Sequence, residues 1–124
     1  MTYGRAALVG ALLAGMLVPA ALAADNIRVA DGDTFTAKIR ISNIDTPDIN
    51  GKCAYERELA QRAKVFTTEQ LAKGSVVIRQ DKRGIDRYGR MLARVEVRGQ
   101  DLGEMLVKEG LARLWRGKRE PWCE

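Results

Sequence analysis

The sequence has no histidine, only two cysteines and three prolines, and aromatic residues make up 6% of it. Without histidine there is no Ser-His-Asp or Cys-His pair and no imidazole acid–base chemistry. Two cysteines alone are a poor basis for a structural zinc site. Any catalysis must therefore run on carboxylates, Arg, Lys or Tyr, with or without a hard metal ion. Long apolar runs are also scarce. The one candidate, Ala6 to Val18, is short for a membrane span. It follows the basic Arg5, is broken by Pro19 and leads into Ala21-Leu22-Ala23, a small-residue cleavage pattern. This layout predicts a secretory signal peptide over residues 1–23 and a mature domain over residues 24–124. The mature protein is expected to be secreted or periplasmic, without membrane attachment after cleavage.

What remains is one small domain. In an exported chain an even pair of cysteines points to a disulfide, here Cys53 with Cys123. It would tie the last residues to the domain and reinforce a small core. The formal charge is +5, and the leader accounts for one of the positive charges. Basic residues cluster at Arg113, Arg116, Lys118 and Arg119, and again at Lys82, Arg83, Arg87 and Arg90. Such clusters suit a polyanionic partner, although a run of Lys and Arg is more often only a solvated face.

The pattern along the chain combines several short strands with two helices. Asn26 to Ala30 reads as a strand and Asp31-Gly32-Asp33 as a tight polar turn. Thr34 to Thr36 and Ile39 to Ile44 read as the arms of a hairpin, ended by Thr46-Pro47. Two registers fit that hairpin, one setting Phe35 against Ile41 and the other Phe35 beside Arg40. A helix follows over Tyr55 to Lys73, with Leu59, Ala60, Ala63, Phe66 and Leu71 on its apolar face and Glu56 on the polar one. Gly74 stops it. Ser75 to Arg79 and Met91 to Val97 read as strands flanking a charged loop. Leu102 to Glu109 reads as a short helix and Leu111 to Trp115 as a last strand. This order is α+β rather than alternating. Five short strands with two helices suit a closed OB-fold β-barrel, a fold that binds oligonucleotides.

Four carboxylates sit close together: Asp31, Asp33, Asp45 and Asp48. If the hairpin arms are antiparallel, their open ends bring Asp33 and Asp45 within reach of one ion. Crowded carboxylates repel, and a hard cation is one remedy; oxygen ligands suit Ca²⁺ or Mg²⁺. Carboxylates at strand ends also serve as plain turn formers. Arg40 leads to Asp45 along one strand, and Arg90 ends the Asp86-Arg87-Tyr88-Gly89-Arg90 loop. Planar guanidinium groups match phosphate oxygens in pairs and stabilise charge on phosphorus. For any single Arg, an ordinary ion pair is the commoner explanation.

Taken in order, Asp31-Gly32-Asp33-Thr34, Ile39-Arg40-Ile41, Ile44-Asp45-Thr46-Pro47-Asp48, Asp86-Arg87-Tyr88-Gly89-Arg90 and Glu109-Gly110-Leu111-Ala112 resemble the thermonuclease (staphylococcal nuclease-like) family. Gly51-Lys52-Cys53 with Trp122-Cys123 is similar to a short, exported branch of it. The resemblance implies an OB-fold nuclease that uses Ca²⁺ to cut DNA and RNA as a monomer. It implies that Asp33, Asp45 and the Thr46 carbonyl hold the ion, and that Arg40 and Arg90 contact the phosphate. Asp48 would activate the attacking water, Arg87 and Tyr88 would touch the nucleotide, and Asp31 would support the site. The family usually carries Glu where this chain has Asp48, one methylene shorter. The C-terminal helix of longer members has no counterpart in the sequence, and the cysteine bridge is expected to take over its clamping role. The competing expectation is a catalytically weak or inactive OB-fold module that only binds nucleic acid. A phosphatase or glycosyltransferase built on the D-x-D motif is set aside, because the chain is too short and too β-rich for either doubly wound fold.

Overall fold

The computed structural model describes residues 27–124, so the signal-peptide expectation lies outside the described residues. Eight strands and two helices follow one another there. They are β1 (Ile27–Asp31), β2 (Thr34–Ala37), β3 (Ile39–Ile41), β4 (Ile44–Asp45), α1 (Ala54–Ala72), β5 (Val76–Ile85), β6 (Met91–Val97), β7 (Gln100–Asp101), α2 (Leu102–Lys108) and β8 (Arg113–Leu114). The architecture is α+β and OB-fold-like. The expected closed five-stranded barrel is not formed: the strands make three separate sheets.

The hairpin is also not the expected one. β2 folds back on β1, with Val29 opposite Phe35 and Asp31 opposite Thr34. Gly32 and Asp33 form the turn between them. The question of register around Ala37-Lys38 therefore falls away, because no turn forms there. Lys38 interrupts the strand, and its carbonyl accepts from the Met91 amide at 2.9 Å. The chain continues into β3, which runs parallel to β6 with Ile39 opposite Met91 and Arg40 opposite Leu92. Sequence periodicity places residues on faces but does not choose the partner strand. The β1–β2 hairpin pairs with no other strand among the described residues, and its Val29 and Phe35 are exposed.

β6 is the spine of the larger sheet, between β3 and β5. Its alternation holds: Ala93, Val95 and Val97 are buried and Arg94 is exposed. Leu92 is buried as well. α1 lays Leu59, Ala60 and Ala63 inward, with Phe66 packed on the cluster's edge, while Leu71 is exposed. α2 contributes Leu102 and Leu106, the largest fully buried side chains. Asp101 caps α2 by accepting from the Glu104 amide at 2.9 Å, which satisfies one of the helix's orphan donors. Gly110, at φ +71, ends the helical segment in a left-handed conformation. Leu111 and Ala112 then join the core, and β8 pairs with β4.

The Cys53–Cys123 disulfide is formed, with a Cα–Cα distance of 6.0 Å and a sequence separation of 70. Cross-linking positions so far apart removes much of the unfolded chain's freedom, a contribution of about 2–4 kcal/mol. The Cys53→Ser, Cys123→Ser double variant is expected to lose about that much stability in urea denaturation. Reductant should shift the midpoint of the native protein in the same direction and leave the double variant unmoved.

Candidate active site

The parallel register of β3 with β6 sets Arg40 beside the end of the 86–90 loop, so Arg40 and Arg90 meet at one cavity. That cavity has a volume of about 650 Å³, and its lining includes Arg40, Asp45, Thr46, Asp48, Arg87, Tyr88, Arg90, Trp115 and Arg119. Four guanidinium groups and two carboxylates line it, with Asp86 behind Arg90 and Glu56 behind Arg119, so the cavity offers donors that match an anion without a net positive excess.

Each charged group is fixed locally. Nη1 of Arg40 donates to the Ile41 and Ile44 carbonyls at 2.6 and 3.0 Å. Its Nη2 lies 4.0 Å from Asp45 Oδ1, and its plane sits 5.1 Å from the Trp115 ring centroid. Burial and the nearby Arg90 both disfavour the Arg40 charge and lower its pKa, against the opposing pull of Asp45 and Asp86. Arg90 is held by Asp86: its amide donates to Oδ1 at 3.0 Å and its Nε to Oδ2 at 2.8 Å. The Tyr88 amide donates to the same Oδ1 at 2.9 Å. Burial raises the Asp86 pKa, but donation from Arg90 and Tyr88 outweighs it and leaves the carboxyl below its ordinary value. Arg87 lies over the Tyr88 ring and donates to its hydroxyl at 2.8 Å.

Asp45 is buried, and its Oδ2 accepts from Trp122 Nε1 at 3.4 Å. Asp48 is more open. Its Oδ1 accepts from the Asn50 amide at 2.8 Å, and its Oδ2 lies 3.9 Å from Arg119 Nη1. Of the expected site residues, Arg40, Asp45, Thr46, Asp48, Arg87, Tyr88 and Arg90 are brought together. Asp31 and Asp33 are not among the cavity's lining residues. Asp33 is exposed on the β1–β2 turn, accepting from the Thr34 hydroxyl at 2.9 Å. The argument that hairpin arms unite Asp33 with Asp45 fails, because those two residues do not lie on arms of one hairpin.

Sequence reasoning missed Glu56, Trp115, Arg119 and Trp122 as members of the site. Glu56 was assigned to the polar face of α1 but is only 6% exposed. It stands in the first turn of the helix, where the dipole favours a negative charge. Its Oε1 accepts from the Asp48 amide at 3.2 Å and from Arg119 Nη2 at 3.0 Å; its Oε2 accepts from the Lys52 amide at 3.2 Å. The Cys123 sulfur is 3.6 Å away, a contact with no proton to share, since both cysteines are oxidised. The cluster of Cys53, Glu56 and Cys123 is therefore no metal site. Gly51 leaves room for this carboxylate, because a Cβ there would collide with it. A glutamate three residues after a loop cysteine gives no signal of this burial.

The donors around the cavity are hard oxygens, from the Asp45 and Asp48 carboxylates and Thr46, and such a set fits a Group 2 cation rather than a soft metal. An OB-fold-like domain thus brings two arginines and two carboxylates to one cavity, a donor set that suits an oxyanion. A family model, the staphylococcal nuclease homologue, matches residues 38–123. The chain belongs to the staphylococcal nuclease-like family. It is 36% identical over 94 residues to a thermonuclease of Staphylococcus hyicus, covering 70% of this chain and 56% of that protein. It is 33% identical over 95 residues to endonuclease YncB of Bacillus subtilis, covering 70% of this chain and 45% of that one. The chain thus spans only about half the length of these relatives.

Donation from the Asp48 amide, followed by Lys52 and Arg119, overcomes the effect of burial and lowers the Glu56 pKa below its ordinary 4.5. A carboxylate with a depressed folded pKa stabilises the protein above the unfolded pKa and loses that contribution as pH falls through the folded value. Glu56→Gln is expected to melt below the native protein at neutral pH. The gap should close as pH drops below 4.5, in paired thermal melts. A gap of constant size across that range would show that the ionised carboxylate is not what stabilises the loop.

Proposed function

We propose that this domain is a calcium-dependent nuclease that hydrolyses the phosphodiester bonds of DNA and RNA. The observation that carries the reading is the meeting of Arg40 and Arg90 on one cavity with Asp45 and Asp48. Family membership and the names of its relatives, thermonuclease and endonuclease, support it.

Arg40 and Arg90 bind non-bridging phosphate oxygens and stabilise the charge that builds on phosphorus. Arg40 is suited to this because part of its donor set already holds the Ile41 and Ile44 carbonyls, which fixes its plane. Asp48 accepts a proton from the attacking water as the water oxygen bonds to phosphorus. The bond from phosphorus to the 5′-oxygen breaks, and that oxygen takes a proton from solvent water as it leaves. Asp45 and the Thr46 carbonyl would hold the calcium ion, which supplies polarisation of the phosphoryl oxygen and charge neutralisation. Asp33 would complete the ligand set from the β1–β2 turn and Asp31 would support it; for these two the support is the resemblance alone. Arg87 and Tyr88 offer a cation and an exposed ring to the nucleotide. The disulfide accords with an oxidising, secreted or periplasmic location. No helix among the described residues is long and apolar enough to cross a membrane. We take the working unit to be the monomer.

The absence of Asp33 from the cavity's lining favours a second reading, a module that binds nucleic acid without cutting it. An assay on DNA and RNA with calcium, with magnesium and with chelator separates the two. We expect cleavage with calcium and none with chelator. Arg40→Ala and Arg90→Ala should each lower kcat by about 10²–10³-fold. Asp48→Glu, which restores the family's usual reach, should raise the rate. Binding without cleavage under all conditions would establish the second reading.

A further inference from the structure

We propose that Arg119 is a positioning residue of this nuclease site: delivered by the disulfide-tethered C-terminal segment and anchored on Glu56, it holds the Asp48 carboxylate in place. The inference rests on the nuclease reading above and assigns a part to a residue outside the family motifs quoted for this chain.

Asp48 sits in the irregular stretch between β4 and α1, where no regular backbone pairing fixes it. Four contacts do so instead. Its carbonyl accepts from the Gly51 amide at 2.9 Å. Its amide donates to Glu56 Oε1 at 3.2 Å, its Oδ1 accepts from the Asn50 amide at 2.8 Å, and its Oδ2 lies 3.9 Å from Arg119 Nη1. Arg119 spans the gap between Glu56 and Asp48, since its Nη2 also donates to Glu56 Oε1 at 3.0 Å. One buried carboxylate thus anchors both the main chain that carries Asp48 and the guanidinium that faces its free oxygen. A fork of fixed geometry can do this where a single ammonium cannot.

Arg119 has no secondary structure of its own. The segment is held by Cys123, bonded to Cys53 at the start of α1. It is held again by Arg113, whose Nη1 donates to the Pro121 carbonyl at 2.9 Å and whose guanidinium stacks 3.7 Å from the Trp122 ring centroid. The same segment carries Trp122 to Asp45. The tether therefore ends at the two carboxylates on which the chemistry depends. The Arg119–Asp48 pair is half exposed and adds little to stability in water. Losing Arg119 also takes one donor from buried Glu56, so a melting shift is expected beside the effect on geometry. A misplacement of about 1 Å in a catalytic group costs on the order of 10²-fold in rate.

The test is steady-state cleavage of DNA with calcium by the oxidised native protein, Arg119→Ala and Arg119→Lys, with thermal melts alongside. Arg119→Ala is expected to lower kcat by about 10–10²-fold while KM stays within about twofold, the signature of a lost transition-state term. Millimolar guanidinium should restore part of the kcat of Arg119→Ala and leave the native enzyme unchanged. A purely structural ion pair would not respond in that way. Should Arg119→Ala fail to fold, Arg119→Lys decides: it keeps a cation for Glu56 but lacks the fork, and its kcat should fall with KM held. An unchanged kcat in the folded variant overturns the proposal. So does a loss confined to KM, which would make Arg119 a phosphate contact instead. A native protein that cuts no DNA removes the nuclease reading itself, and this shows before any variant is compared.

Discussion

Guanidinium groups brought together repel, and the site is organised around that repulsion. The β3–β6 register forces Arg40 and Arg90 onto one cavity, and burial, followed by the nearby Arg90, lowers the Arg40 pKa. Two carboxylates limit the penalty. Asp86 takes both the amide and the Nε of Arg90, and Asp45 stands 4.0 Å from Arg40. The longer of these pairings is the informative one. Had Asp45 formed a close fork with Arg40, both would be spent on each other. At 4.0 Å the pair steadies Arg40 while leaving donors on one side and acceptors on the other.

A second centre of organisation lies under the first. Glu56 is buried at the start of α1, and it gathers the Asp48 amide, the Lys52 amide and Arg119. A buried charge is tolerable only when it is paired and hydrogen-bonded, and here the required donors come from the loop that carries Asp48 and from the C-terminal segment. Satisfying one carboxylate therefore draws two otherwise irregular pieces of chain together. Gly51 permits it by leaving space, and the disulfide makes it persistent by fixing Cys123 beside the helix start.

Local features were legible in the sequence where their causes are local. Helix α1 was expected over Tyr55 to Lys73 and runs Ala54–Ala72; α2 was expected over Leu102 to Glu109 and runs Leu102–Lys108. Periodicity and glycine stops suffice for such elements. The alternation of β6 was readable for the same reason. The partner of β2 was not, because Thr34 to Thr36 pairs equally well in pattern with a strand on either side. The Gly32–Asp33 turn decided for β1, and with that choice the argument from hairpin ends that linked Asp33 to Asp45 lost its basis. The cavity residues of the 40, 45–48 and 87–90 motifs were readable through the resemblance. Glu56 and Arg119 were not, since their meeting depends on a contact across 63 positions.

The disulfide links these two levels. A domain this small buries a limited core, and its last regular element, β8, is only two residues long. Beyond it the segment is held through side chains: Arg113 stacks on Trp122 and donates to the Pro121 carbonyl, Trp122 packs on the core and makes one long hydrogen bond to Asp45, and Arg119 pairs with Glu56. Each of these contacts is weak when the segment is free, because ordering a residue's backbone costs about 1–2 kcal/mol. The covalent bond removes much of that freedom beforehand, so contacts too weak to order a loose tail can still fix the orientation of a tethered one. The same bond that closes the fold thereby sets the precision with which Asp45 and Asp48 are presented.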